Sequence, residues 1–314
     1  MTSKLLLIDA DTILYAAASQ QQINKCLATN IEHGTKRMFD SKTAFNDWLK
    51  ITPNRTKDMY SFEAVSDVTG EPRFAFQTIK QKVEAIVEAS GCKDYRVCIQ
   101  GEGNFRKFYE SKFVDYKGQR VPKPLLFQEC FDFMEKKYKT KCVVSKGCET
   151  DDYVNIAAWA GYNAAIKTRN KDDSEFVVAY VDKDIVSNGR GWFLNYNKLE
   201  NGVFWNDAVS QYSKYWAQTL HGDTADNIKG LEKLAPETKE KYGIKTNGVG
   251  EVASGKILEG AKSELEMFQR VEEAYKLSWP DDYQQRLADN CFFLYLQRKE
   301  NEMFNLYDYV ETLK

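Results

Sequence analysis

The chain has 314 residues, 29% charged and 43% hydrophobic, enough for one large domain or two unequal parts. No apolar run approaches the roughly 20 residues of a membrane span, and seven scattered cysteines without a CxxC pair, with only His33 and His221 as histidines, argue against a disulfide framework, a zinc finger and a Ser-His-Asp triad. A formal net charge of −2 excludes a uniformly basic nucleic-acid binder but not a local basic groove, because Lys and Arg concentrate in residues 106–146.

Residues 4–8, KLLLI, read as a buried strand ending at Asp9, followed by an Ala-rich helix through Tyr15 to Gln22. Acids follow this short apolar run directly, unlike an export signal, so a cytoplasmic location is expected, the host's if the chain is viral. Trp48, Pro53, Gly70 and Pro72 break the periodicity of residues 29–75, which read as an insertion with short helices or a loose hairpin and no assignable chemistry. Helical spacing over 76–89 stops at Gly91 before the strand YRVCIQ. An amphipathic helix at 125–138, the strand KCVVS, a helix from Asp151 and the strand FVVAYV repeat the alternation, and the last strand runs into Asp182-Lys183-Asp184. Residues 189–204 read as a hairpin with Asn-Gly as a candidate turn, and the chain is largely helical from about 207. The pattern predicts an α/β fold, a mostly parallel sheet with helices on both faces, whose sites lie at the carboxyl ends of the strands.

Four acidic groups would then converge: Asp9 with Asp11, Glu149 with Asp151 and Asp152, Asp182 with Asp184, and Asp223 with Asp226. Each alone reads equally as a helix cap or a solvated loop, and Asp11 is read as the cap of its helix. Together they would repel one another unless cations neutralise them. Magnesium or manganese suits oxygen ligands, and two such ions about 4 Å apart suit phosphodiester hydrolysis. Residues 105–120, FRKFYESKFVDYKGQR, interleave cations with aromatic rings at helical spacing. That pattern fits a solvated amphipathic helix, or a grip on single-stranded nucleic acid.

The order Asp9, Arg106-Lys107, Tyr116-Lys117-Gly118-Gln119-Arg120, Glu149-x-Asp151-Asp152, Asp182-Lys183-Asp184 and Gly222-Asp223-x-x-Asp226-Asn227-Ile228 resembles the 5′→3′ exonuclease and flap endonuclease family, especially its bacteriophage members, within the PIN-like superfamily. The resemblance spans residues 4–258 and implies a nuclease domain over 1–206, with a basic arch near 105–123, and a helical duplex-binding region over 207–314 built on a helix-three-turn-helix motif. It implies that Asp9, Glu149, Asp151 and Asp182 mainly serve the cleavage-site metal and Asp184, Asp223 and Asp226 the second, with Asp152 a further metal ligand. Of the catalytic cations it implies, Arg106 and Lys107 would lie at the base of the arch near the scissile phosphate. Lys117 and Arg120 would lie within the arch, where Tyr116 would contact nucleic acid, and Lys107 or Lys117 would stabilise transition-state charge. Gly248 and Gly250 would hold duplex backbone and a potassium ion, with Ser254 and Lys256 nearby. Implied partners are 5′ ends, flaps and duplexes with a single-stranded 5′ arm, RNA–DNA hybrids, and a single-strand-binding protein, the chain itself being a monomer.

Two departures stand out. A 17-residue insertion, Leu231–Asn247, separates the acidic motif from Gly248-Val249-Gly250, with Val252 and Ala253 where the family has Lys or Thr. Where the family often has an Asp after its second strand, this chain reads Gln100-Gly101-Glu102, leaving Glu102 as the only acid at hand. The rival readings are a PIN-like ribonuclease and a structure-specific DNA-binding protein with a weakened metal site. His221 reads as a packed or solvated side chain, not a ligand.

Overall fold

The computed structural model describes residues 3–119 and 122–314. Arg120, expected in the arch, lies outside the described residues. In chain order the elements begin with β1 (Leu5–Asp9), α1 (Asp11–Ser19), β2 (Gln22–Asn30), β3 (Lys36–Phe39), α2 (Lys42–Lys50), β4 (Tyr60–Val68), α3 (Pro72–Ser90) and β5 (Asp94–Gln100). They continue with α4 (Phe127–Tyr138), β6 (Cys142–Ser145), α5 (Thr150–Thr168), β7 (Phe176–Tyr180), α6 (Lys183–Asn188), β8 (Gly191–Asn195), β9 (Val203–Asn206) and α7 (Ala208–His221). The last are α8 (Pro236–Tyr242), α9 (Glu251–Leu258), α10 (Glu264–Ser278), α11 (Tyr283–Leu294) and α12 (Leu306–Glu311). None of the described helices is long and apolar enough to cross a membrane, and all seven cysteines are free.

The chain divides into two compact units, Met1–Asp11 with Glu84–Val121 and Thr140–Lys314, and Thr12–Val83 with Pro122–Lys139. The boundary expected between 206 and 207 falls inside the first of them. That unit holds an α/β sheet of six strands in the order β6-β5-β1-β7-β8-β9, parallel except for β9. Leu6, Leu7 and Ile8 of β1 and Val177, Val178 and Ala179 of β7 are all buried, as strands flanked on both edges require. Ranked by position in the chain, the six strands run 3-2-1-4-5-6, so the winding reverses between β1 and β7. In open parallel sheets the carboxyl ends at this switch point form the crevice that takes a ligand. The expected hairpin is present as β8 and β9, paired antiparallel. After it the chain is helical, with a core built around Trp216, Ile257, Val271, Tyr275 and Leu287.

Two expectations are corrected. The second unit is no loose insertion: β3-β2-β4 form an antiparallel sheet, with β2 and β4 in register from Gln22↔Val68 to Asn30↔Tyr60. Cys26, Ala28, Phe39, Phe45 and Tyr60 make its own small core, with Trp48 and Phe62 packed against it. Nor is 105–119 an amphipathic helix, since only Phe105–Phe108 forms a single 3-10 turn. The remainder is fixed by ring contacts to α11, Tyr109 stacking on Phe292 at 4.1 Å and Tyr116 on Phe293 at 4.8 Å. The hydroxyls of Tyr109 and Ser111 both donate to the buried carboxylate of Asp289. These rings are packing, not open platforms for bases, and Phe108 is the exposed exception.

Candidate metal centre

Asp9 closes β1 at the switch point and is buried, its backbone carbonyl accepting from the Tyr196 hydroxyl at 2.9 Å. Asp182 follows β7 and caps α6, its Oδ1 accepting from the Asp184 N–H at 3.0 Å, so one helical turn presents both acids. Glu149 and Asp151 stand at the start of α5, where Asp152 Oδ2 accepts from the Glu149 N–H at 3.1 Å. Asp223 and Asp226 ride a tight loop after α7. Asp223 and Ile228 exchange backbone hydrogen bonds at 2.6 and 2.7 Å, and Asp223 Oδ1 accepts from the N–H groups of Ala225 and Asp226 at 2.7 and 3.3 Å. The loop closes on glycines: a Cβ on Gly222 (φ +77°) would sit 2.2 Å from the Ile228 carbonyl oxygen, which no side chain tolerates.

Electrostatics links these positions. Burial, then Asp11 and Asp182, push Asp9 well above the ordinary carboxylate range. Burial raises Asp151 in the same way, with Asp9 and Asp182 adding to it. Asp182 rises through burial and the proximity of Asp223 and Asp226, opposed by the bond from Asp184. Asp184 rises through burial, Asp182 and Asp223. The acids of four separate segments therefore form one continuous field of like charge.

Three cations and a hydroxyl compensate its margins. Lys117 contacts Glu149 and lies 3.5 Å from Asp226, and Lys183 lies 3.2 Å from Asp223. Glu149 also accepts from Arg106 at 3.3 Å and from the Tyr116 hydroxyl at 2.7 Å. Burial alone would raise Glu149, but Lys117 and Arg106 draw it down to about 2.

Among the described residues, no three His, Cys, Asp or Glu side chains are posed about a point so as to hold a metal ion as they stand. The donor set nevertheless fits a hard divalent cation in its chemistry: it is all oxygen, and burial together with mutual repulsion is the penalty that such an ion removes.

Several expected residues stand elsewhere in the network. Arg106 is fully buried in a bidentate pair with Asp152, both bonds 2.7 Å, and also donates to the Tyr295 carbonyl. This closed pair fixes the start of α5 and corrects the expectation that Arg106 faces the scissile phosphate and Asp152 a metal. Tyr116 faces inward against Phe293, a correction of the expectation that it contacts nucleic acid from the arch. Lys107 is exposed. Ser254 is buried, bonded to the Gly250 and Glu251 carbonyls and 3.3 Å from His221 Nδ1, so it faces the fold and not a duplex. His221 is itself packed, its pKa lowered by burial and by Lys183. Gly250 precedes α9, and a shallow depression lined by Lys245, Thr246, Gly248, Gly250, Glu251 and Lys256 lies at that turn.

Gln100 ends β5 and ties three segments. Its N–H donates to Asp11 Oδ1 at 2.9 Å, and its side chain accepts from the Thr150 N–H at 2.9 Å and donates to the Cys148 carbonyl. Glu102 is exposed and makes no side-chain hydrogen bond or ion pair among the described residues. Asp11 is the acid brought to the end of β5, a role that its reading as a helix cap missed; the Asp-Ala-Asp spacing after a buried strand was the available signal. Gln218, equally missed, is buried and donates to Asp184 and, at 3.3 Å, to Asp223.

No protein-family model matches the chain, and no curated protein does. Solved structures do. The likeness is to phage 5′ nucleases. A bacteriophage T5 flap endonuclease in a pseudo-enzyme–product complex with DNA and metal ions matches at 10% identity and a TM-score of 0.39, covering 93% of this chain and 99% of that one. T5 5′-exonuclease with bound zinc matches at 12% identity and a TM-score of 0.38, again over 93% and 99%. At such scores the assignment of residues rests on the contacts above.

Proposed function

We propose that this chain is a divalent-metal-dependent nuclease that hydrolyses phosphodiester bonds from 5′ ends or flaps of DNA, and of RNA in RNA–DNA hybrids. The carrying observation is that Asp9, which is buried, and Asp151, Asp182 and Asp184 gather near the carboxyl ends of β1 and β7, each with its pKa raised by desolvation and by neighbouring acids. Asp9, Asp151 and Asp182 would hold one magnesium or manganese ion, and Asp184, Asp223 and Asp226 a second. Two such ions supply an activated water and neutralise the departing oxygen.

The chain's own residues do the remainder. Lys117, in a left-handed conformation (φ +58°), is held by its N–H to the Asp226 carbonyl at 3.0 Å and has its ammonium between Glu149 and Asp226. There it can stabilise charge on a phosphate at the edge of the centre. Gln218 orients Asp184 and Asp223, and Lys183 tempers Asp223 until an ion competes for it. Lys107 is exposed to meet the strand, and the turn at Gly248 and Gly250 would offer backbone N–H groups to a duplex. Substrates would be flaps and duplexes with a single-stranded 5′ arm, and water attack with a 3′-oxygen leaving group leaves 5′-phosphates.

One observation favours a second reading, a structure-specific DNA-binding protein without turnover: Gln100 stands where an acid would strengthen one metal site. A 5′-labelled flap incubated with and without magnesium separates the two. Cleavage that needs magnesium and is lost in Asp182→Asn supports the nuclease, whereas binding without cleavage in either metal supports the alternative.

A further inference from the structure

The second unit carries cations that the candidate centre does not use. Arg37 on β3 and Arg55, after α2, approach the same indole, each guanidinium 4.9 Å from the Trp48 ring centre. Trp48 is itself fixed edge-on to Tyr60 and tilted against Phe39 and Phe45 in the unit's aromatic core. Both arginines are exposed, and neither has a carboxylate partner among the described residues, although Asp40, Asp47 and Asp58 are close in sequence. The neighbouring Lys50, by contrast, is paired with Asp47 at 2.8 Å.

An arginine held against an indole has already lost part of its side-chain freedom, so it gives up less when it meets a planar or tetrahedral oxyanion. Sharing one ring places the two guanidiniums within about 10 Å of each other. A strand rising about 3.4 Å per nucleotide would present two or three phosphates over that span.

We propose that Arg37, Trp48 and Arg55 form a nucleic-acid contact on the second unit, gripping the sugar-phosphate backbone of a strand through two ordered guanidiniums. The choice of polyanion follows the nuclease reading, but the contact needs no metal and no cleavage. Its energy is charge on phosphate, so it reads shape and salt, not sequence.

The test is fluorescence anisotropy of a labelled flap oligonucleotide on the full chain with divalent ions chelated, across a salt series. Arg37→Ala/Arg55→Ala is expected to weaken binding roughly tenfold at low salt and to flatten the slope of log K against log salt by about 2, one per lost phosphate contact. Arg37→Lys/Arg55→Lys, which keeps the charge, should recover much of that slope, and thermal melting should match wild type. Unchanged affinity and slope in the alanine variant would overturn the proposal, as would poly-glutamate competing as well as an oligonucleotide. A chain that binds with the expected slope change yet never cleaves leaves the contact standing and removes only the nuclease reading.

Discussion

Arg106 shows how a residue of catalytic type can be taken into structure. Its guanidinium is sealed on Asp152 with no exposed surface, and an ion pair removed from water leaves a large penalty when one member is lost. Arg106→Ala should therefore destabilise the fold by about 3–5 kcal/mol, read as a lower denaturant midpoint, and Arg106→Lys should recover little because the bidentate geometry is lost. Lys117 differs in degree. Lys117→Ala leaves Glu149 bonded to Arg106 and the Tyr116 hydroxyl, so it should lower the melting temperature less than Arg106→Ala does, while single-turnover cleavage falls about 10²–10³-fold, the usual loss for a charge-stabilising donor. Equal cleavage rates would show Lys117 to be a counter-ion of Glu149 only. From sequence the two were indistinguishable, both cations in one aromatic-rich segment; which is sealed depends on Asp152 and Tyr295, and Tyr295 is remote in the chain.

At the scale of elements, β1, β5, β6, β7 and the helices between them were legible because buried parallel strands are continuous apolar runs and covering helices keep their period. Asp9 and Asp182 were legible with them, as acids that end such strands. The second unit was not, because β2 and β4 are half-exposed and their register rests on pairing between residues up to 46 positions apart, Gln22 with Val68. The 105–119 segment deceived for another reason: its rings are spaced to meet Phe292 and Phe293, which mimics a helical stripe. Asp182 serves its element and the site at once. Asn caps a helix as well as Asp does, so Asp182→Asn should keep α6 while removing one ligand charge. Manganese affinity by calorimetry should fall at least tenfold with little loss of melting temperature; unaltered affinity would place the ion elsewhere.

For the whole molecule, the carboxylate field makes stability depend on both pH and metal. Asp9, Asp151 and Asp184 hold protons in the native state at pH values where the unfolded chain, with Asp near pH 4, has released them. Stability of the metal-free protein should therefore fall as pH rises from about 4 through the folded-state pKa values of these acids. A divalent ion reverses this by binding the ionised native state, worth about 2.7 kcal/mol at 100 times its dissociation constant. Manganese should accordingly raise the melting temperature more at pH 7.5 than at pH 5, and an equal rise at both would break the link between ion and acids. The central claim, that these acids gather two hard ions between β1 and β7, is tested most directly by anomalous diffraction from manganese-soaked crystals. The expected map has two peaks about 4 Å apart, one among Asp9, Asp151 and Asp182 and the other among Asp184, Asp223 and Asp226. Manganese bound only outside these acids, or not at all, would contradict it.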